Sequence, residues 1–152
     1  MPTDVSFLSQ YKPFATLDAQ DLQALSELTA GMEYAKDQVI FEEESKGDSL
    51  FIIAKGSVKI LKKVKNQENT IAVLKQGEFF GEMAILDGLP RSATVKASEA
   101  SSCLVLTDKA YLKLRNDRPK TALKIMDIII KVLSNRLRQA NKNLEVISFW
   151  IE

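Results

Sequence analysis

Glu82 and Arg91 stand nine positions apart in GEFFGEMAILDGLPRSATV, residues 77–95, an otherwise apolar run that also holds Gly77, Gly81 and Gly88. An acid and a lone base in such surroundings either neutralise each other or face a common ligand. An exposed ion pair is worth little, and it explains neither Gly81 nor the helix-forming residues after it. GEMAIL suits one or two helical turns starting after Gly81, because Glu, Met, Ala and Leu favour helix. The first amides of such a turn lack intrahelical partners and carry the positive end of its dipole, and a glycine before them allows close approach. Leu89, held towards extended geometry by Pro90, lets the DGLP turn bring Arg91 back over that helix end. There a guanidinium can grip a phosphate by two parallel hydrogen bonds, with the Ser92 hydroxyl beside it. Glu82 beside a phosphate makes sense if the ligand also offers a hydroxyl donor, as a ribose 2′-OH does. The residue types therefore ask for a small anion carrying a sugar. The alternatives are a plain Glu82–Arg91 ion pair and, for Ser92, a strand-end serine without function.

Composition removes most competing chemistries. The 152 residues fit one domain with a hydrophobic core. The absence of His excludes Ser–His triads, His general bases and His-ligated zinc. One Cys cannot form an internal disulfide. A formal net charge of +1 gives no electrostatic reason for a nucleic-acid or membrane partner. MPTDVSFLSQ lacks the regions of a signal peptide, and Lys124, Asp127 and Lys131 interrupt the longest apolar stretch. A cytoplasmic protein is expected.

The elements that must position Glu82 and Arg91 follow from periodicity. TLDAQDLQALSEL, with Thr16 and Asp18 as candidate caps, predicts a short amphipathic helix. From Met32 to Thr107, short β-rich runs alternate with turn signals such as KGDS, AKGS, KNQEN and KQGE. Six or more such strands point to an antiparallel sandwich or barrel. Phe79, Phe80 and Cys103 read as core, and Gly47 and Gly56 as turn formers. DKAYLKLRN predicts a helix capped by Asp108, and from Pro119 a helical pattern runs almost to the end. The layout is one domain: a helical part at 10–30, a barrel at 31–107 and C-terminal helices at 108–151.

The last helix carries a second pattern. Met126, Ile130, Leu133, Leu137, Ala140, Leu144, Ile147 and Ile151 step by four and three, the a/d seam by which a helix packs along a parallel partner. Leu123, Ile125, Ile129 and Val132 then remain to face the barrel. A homodimer through this helix is expected; a single broad core-facing stripe on a monomer is the alternative.

Residues 77–95 strongly resemble the phosphate-binding cassette of the cyclic nucleotide-binding domain family, with Gly81, Glu82, Pro90, Arg91, Ala93 and Thr94 all matching. Over roughly residues 10 to 145 the chain is similar in layout to bacterial cyclic AMP receptor-like sensor domains: an N-terminal helix, an eight-stranded antiparallel jelly-roll barrel and a terminal helix pair. The resemblance implies that Glu82 takes the ribose 2′-OH and Arg91 the cyclic phosphate, helped by backbone amides near Met83 and Ala84. It implies that Ser92 is the small hydroxyl of bacterial members. It also places Ala140 and Asn141 near the base; Asn141 can bond a purine edge, whereas Ala140 cannot through its side chain.

The expected function is a non-enzymatic sensor for a cyclic purine nucleotide, cyclic AMP preferred over cyclic GMP, signalling through its dimer helix without a cofactor or metal. Regulators of this kind append a helix-turn-helix domain, for which a chain ending at Ile151-Glu152 leaves no room. No direct nucleic-acid or membrane partner is therefore expected. The alternatives are the sensor half of a truncated transcription regulator, and a ligand-free dimerisation or docking module.

Overall fold

The computed structural model describes residues 3–151, with side chains described up to Leu144. Two 3-10 turns, Ser6–Gln10 and Lys12–Phe14, lead into α1 (Ala19–Leu28). Asp18 caps α1 in a reciprocal box: its carboxylate accepts from the Asp21 amide, and the Asp21 carboxylate from the Asp18 amide, both at 2.9 Å. Eight strands follow: β1 (Ala30–Tyr34), β2 (Val39–Phe41), β3 (Ser49–Lys55), β4 (Ser57–Val64), β5 (Gln67–Lys75), β6 (Phe79–Phe80), β7 (Thr94–Ala97) and β8 (Ser101–Thr107). They form two antiparallel sheets, ordered β1-β8-β3-β6 and β2-β7-β4-β5. A single turn, α2 (Met83–Leu86), lies between β6 and β7, and α3 (Asp108–Asp117) and α4 (Pro119–Ile151) close the chain. Thr107 rather than Asp108 caps α3. Thr107 keeps the extended backbone of β8 while its hydroxyl accepts from the Ala110 amide, so Asp108 becomes the first helical residue.

Period-two alternation divides the apolar residues between two cores. β3 is buried on both faces. Leu50 and Ile52, with Leu104, Leu106 and Phe79, pack under the helices; Phe51 and Ile53, with Cys103, Val58 and Phe80, fill the space between the sheets. Phe79 and Phe80 thus anchor opposite faces of one short strand, each burial contributing about 1.5–3 kcal/mol. Phe80 stacks on Phe51 with ring centroids 5.0 Å apart. The chain leaving Phe80 is therefore fixed in position just before Gly81 and Glu82. Burial pushes the Cys103 thiol up to about 12, so it acts as a small apolar filler.

α4 departs from the expected division of faces. Ala122, Ile125, Ile128 and Ile129 face the core, whereas Leu123 is 62% exposed. Leu123 lies two residues from Ile125, about 200° around the helix, so it cannot share that stripe. It joins Ile130, Leu137 and Leu144, spaced by seven, in an exposed apolar row, with Met126 and Leu133 half-buried along its edge. Ile147 and Ile151 of the expected seam lie outside the described side chains. Among the described residues no helix is long and apolar enough to cross a membrane.

The start of α4 is tied to α1 by a buried polar cluster. Asp21 accepts from the Thr121 hydroxyl and, at 2.6 Å, from the Lys124 ammonium. Burial alone would raise the Asp21 pKa, but bonds from Lys124, Thr121 and the Asp18 amide, with the Lys124 charge, hold it down to about 2. A depressed carboxylate contributes stability above its unfolded value of 3.8 that is lost as pH falls towards 2. Asp21→Asn should therefore cost roughly 2 kcal/mol at pH 7, and the gap from wild type should shrink steadily between pH 4 and pH 2 in urea titrations.

Candidate functional site

Arg91 is 7% exposed, and its guanidinium sits in a socket of backbone and rings. Nη1 donates to the carbonyls of Ser49 and Gly81, each at 3.1 Å. Its Cζ lies 4.0 Å from the Phe41 ring centroid and 5.7 Å from that of Phe51. The residue's backbone is pinned to the preceding loop: its amide donates to Ser45 O at 2.8 Å, and its carbonyl accepts from the Glu44 amide at 2.7 Å. Two glycines make the space. A Cβ on Gly81, whose φ is +76°, would lie 2.7 Å from Nη1 and 3.0 Å from Ser49 O. A Cβ on Gly47 would overlap the guanidinium itself. Gly47 therefore clears room for Arg91, a role beyond the turn former expected from its KGDS context. Burial holds the Arg91 pKa below its ordinary value, opposed by the charges of Asp48 and Glu82. Its Nε is buried and has no hydrogen-bond partner among the described residues.

Glu82, 6% exposed, follows Gly81 directly and opens α2. No ion pair joins it to Arg91 among the described residues, which removes the bland reading of this pair. Its Oε1 instead lies 3.5 Å from Nη1 of Arg136 on α4. Arg136 is the residue that sequence reasoning missed. Nη2 donates to Phe79 O at 2.7 Å, and the guanidinium lies 5.0 Å from the Phe79 ring centroid. A signal was present: Arg136 continues the core-facing spacing of Ile125, Ile129 and Val132, where a cation needs a reason. The amides at the start of α2 are divided. Ala84 N–H turns back to Gly81 O at 3.3 Å, while those of Glu82 and Met83 have no backbone acceptor among the described residues.

Arg91 and Glu82 line one cavity of about 610 Å³. Met83, Ala84 and Ser92 also border it, Ser92 from an exposed position. α4 supplies the far wall with Leu133, Arg136, Leu137 and Ala140. Asn141 is exposed and is not brought to this wall. The cavity is mainly apolar with a few convergent polar groups, the usual form of a small-molecule site. Among the described residues no cluster of Cys, Asp or Glu can hold a metal ion.

The family model for the cyclic nucleotide-binding domain matches residues 32–118. The cyclic AMP receptor protein of Thermus thermophilus is 35% identical over 117 residues, which is 76% of this chain and 52% of that protein. Glutaminase 2 of Bradyrhizobium diazoefficiens is 34% identical over 145 residues, 94% of this chain and 22% of that protein. A solved cyclic nucleotide-binding domain from Methylobacillus flagellatus superimposes with a TM-score of 0.83 at 27% identity, covering 91% of this chain and 79% of that one. The chain thus spans about half or less of the length of these curated relatives.

The socket makes a prediction independent of any ligand. Gly47→Ala should destabilise the protein by about 1–3 kcal/mol in wild type, and by far less when Arg91 is also Ala. Equal costs in both backgrounds, by urea denaturation, would disprove the close approach.

Proposed function

This chain is a member of the cyclic nucleotide-binding domain family, and we propose that it is a non-enzymatic sensor binding a cyclic purine nucleotide beside Arg91. The observation that carries this reading is that Arg91 and Glu82 are both buried at one cavity yet form no ion pair with each other among the described residues. A cyclic phosphate takes the remaining guanidinium donors and the amides that open α2, so the orphaned Nε gains an acceptor. Glu82 accepts the ribose 2′-OH. Ser92 closes the phosphate end from the rim.

The base then lies towards α4, where Leu133, Leu137 and Ala140 offer apolar cover. Bringing Asn141 to a purine edge takes a rotation of α4, since Ala140 holds the wall. The preference for cyclic AMP over cyclic GMP is supported by the name of the Thermus thermophilus relative. Arg136 couples the site to α4, because a ligand that engages Glu82 changes what Arg136 faces. The response is bounded by the ligand's differential affinity for the two seatings of α4. The exposed row Leu123, Ile130, Leu137 and Leu144 supports a second copy of the chain as the partner of α4. A second reading, the sensor part of a transcription regulator, is favoured by the partial coverage of the receptor protein; in it the same α4 movement is passed to an attached domain.

Calorimetry with cyclic AMP should show Arg91→Ala weakening binding by about 1.5–3 kcal/mol, the worth of charged hydrogen bonds. Unchanged affinity would refute the phosphate role. Ile130→Glu combined with Leu144→Glu, both clear of the cavity, should give folded monomers by light scattering. A mass equal to that of wild type would rule out the apolar row as the interface.

A further inference from the structure

The ladder between β4 and β7 ends at the pair Leu61 and Thr94, so Lys62 is the first residue of β4 without a β7 partner. Beside it, β5 carries an extra residue, Ile71, between the Ile60–Ala72 and Leu61–Thr70 pairs. Such a bulge twists a strand and re-aims the side chains next to it. The Lys62 ammonium reaches the residues just before β7. It donates to the Ser92 carbonyl at 2.7 Å and lies 2.6 Å from Glu43 Oε1. The Lys62 side chain is 45% exposed, whereas that of Glu43 is only 18% exposed.

The loop before β3 and the residues before β7 are stitched together by main-chain bonds. Arg91 N–H donates to Ser45 O at 2.8 Å, Glu44 N–H to Arg91 O at 2.7 Å, and Glu43 N–H to Thr94 Oγ1 at 2.9 Å. Arg91 and Thr94 are thus held without Lys62. Ser92, between them, is not. Among the described residues its amide and hydroxyl have no protein acceptor, and its carbonyl accepts only from Lys62. One ammonium therefore decides which way the Ser92–Ala93 peptide faces, and with it where the Ser92 hydroxyl stands at the cavity rim. An exposed Lys–Glu pair by itself contributes only about 0–1 kcal/mol. What sets this one apart is its third member, a main-chain carbonyl directly after Arg91.

We propose that Lys62 is a positioning residue for the ligand's phosphate: tied to Glu43, it fixes the Ser92 peptide so that Ser92 faces the anion held by Arg91. This rests on the nucleotide reading of the cavity. Lys62 does not line that cavity, so it acts through Ser92 rather than by touching the ligand. Its charge is matched by that of Glu43, so attraction at a distance is not its contribution.

The test is calorimetry with cyclic AMP and with its two phosphorothioate diastereomers, in which sulfur replaces one or the other exocyclic oxygen. Lys62→Met should weaken cyclic AMP binding about five-fold, the upper end for one half-exposed charged contact. It should also change the affinity ratio of the diastereomers by roughly three-fold, because the Ser92 arm meets one exocyclic oxygen and not the other. Lys62→Arg should restore both values to within about two-fold of wild type. Lys63→Met, at an exposed neighbour outside the cavity, should alter neither. If Lys62→Met fails to fold, Lys62→Gln should show the same change of ratio. Three results overturn the proposal: wild-type affinity in Lys62→Met, an equal loss for both diastereomers, or recovery of wild-type affinity when Glu43→Gln is added to Lys62→Met. The last would make Lys62 a counter-charge and nothing more. Each of them leaves the nucleotide reading standing, whereas wild-type protein that does not bind cyclic AMP defeats both.

Discussion

A guanidinium removed from water needs acceptors along its edges and polarisable matter against its faces, and Arg91 is built into a socket that supplies both. Two backbone carbonyls meet one nitrogen, and the Phe41 and Phe51 rings flank the carbon. Gly47 and Gly81 exist as glycines because a methyl group at either would press on the guanidinium. What the socket withholds is as informative. Among the described residues the buried Nε has no partner, and an unsatisfied donor costs about 1–3 kcal/mol, more when charged. Under the proposed function, that free donor is what an anion engages.

The two cores make that arrangement rigid. Phe79 locks the segment to the helical layer and Phe80 locks it to the barrel interior, so Gly81 and Glu82 leave a strand that cannot slide. The same Phe79 offers its carbonyl and its ring to Arg136. α4 is therefore joined to the site through packing and through charge together. At its other end the Asp21–Thr121–Lys124 cluster fixes where α4 begins. A change at Glu82 thus meets a helix held at its base and free along one apolar face.

What was legible in the sequence follows contact distance along the chain. Glu82 and Arg91 are close in sequence, and their residue types and the turn between them were enough to suggest a shared cavity. The strands and their turns were legible through period-two alternation. Gly47 and Arg136 were not, because each acquires its role from a residue more than forty positions away. Leu123 was placed on the wrong face because apolar identity was read ahead of angle; counting 100° per residue from Ile125 would have placed it outside. Asp108 gave way to Thr107 as a cap because the helix starts one residue earlier than its acid implied. Cap position depends on where the strand stops pairing, which composition alone does not reveal.

The most direct test of the account is the ¹⁵N side-chain resonance of Arg91 Nε–H, identified by its loss in Arg91→Lys, during titration with cyclic AMP. Capture of a phosphate by the socket predicts a saturable downfield shift of this resonance as the orphaned donor gains an acceptor. A resonance that stays in place while the nucleotide saturates the protein would contradict the claim that this guanidinium holds the phosphate.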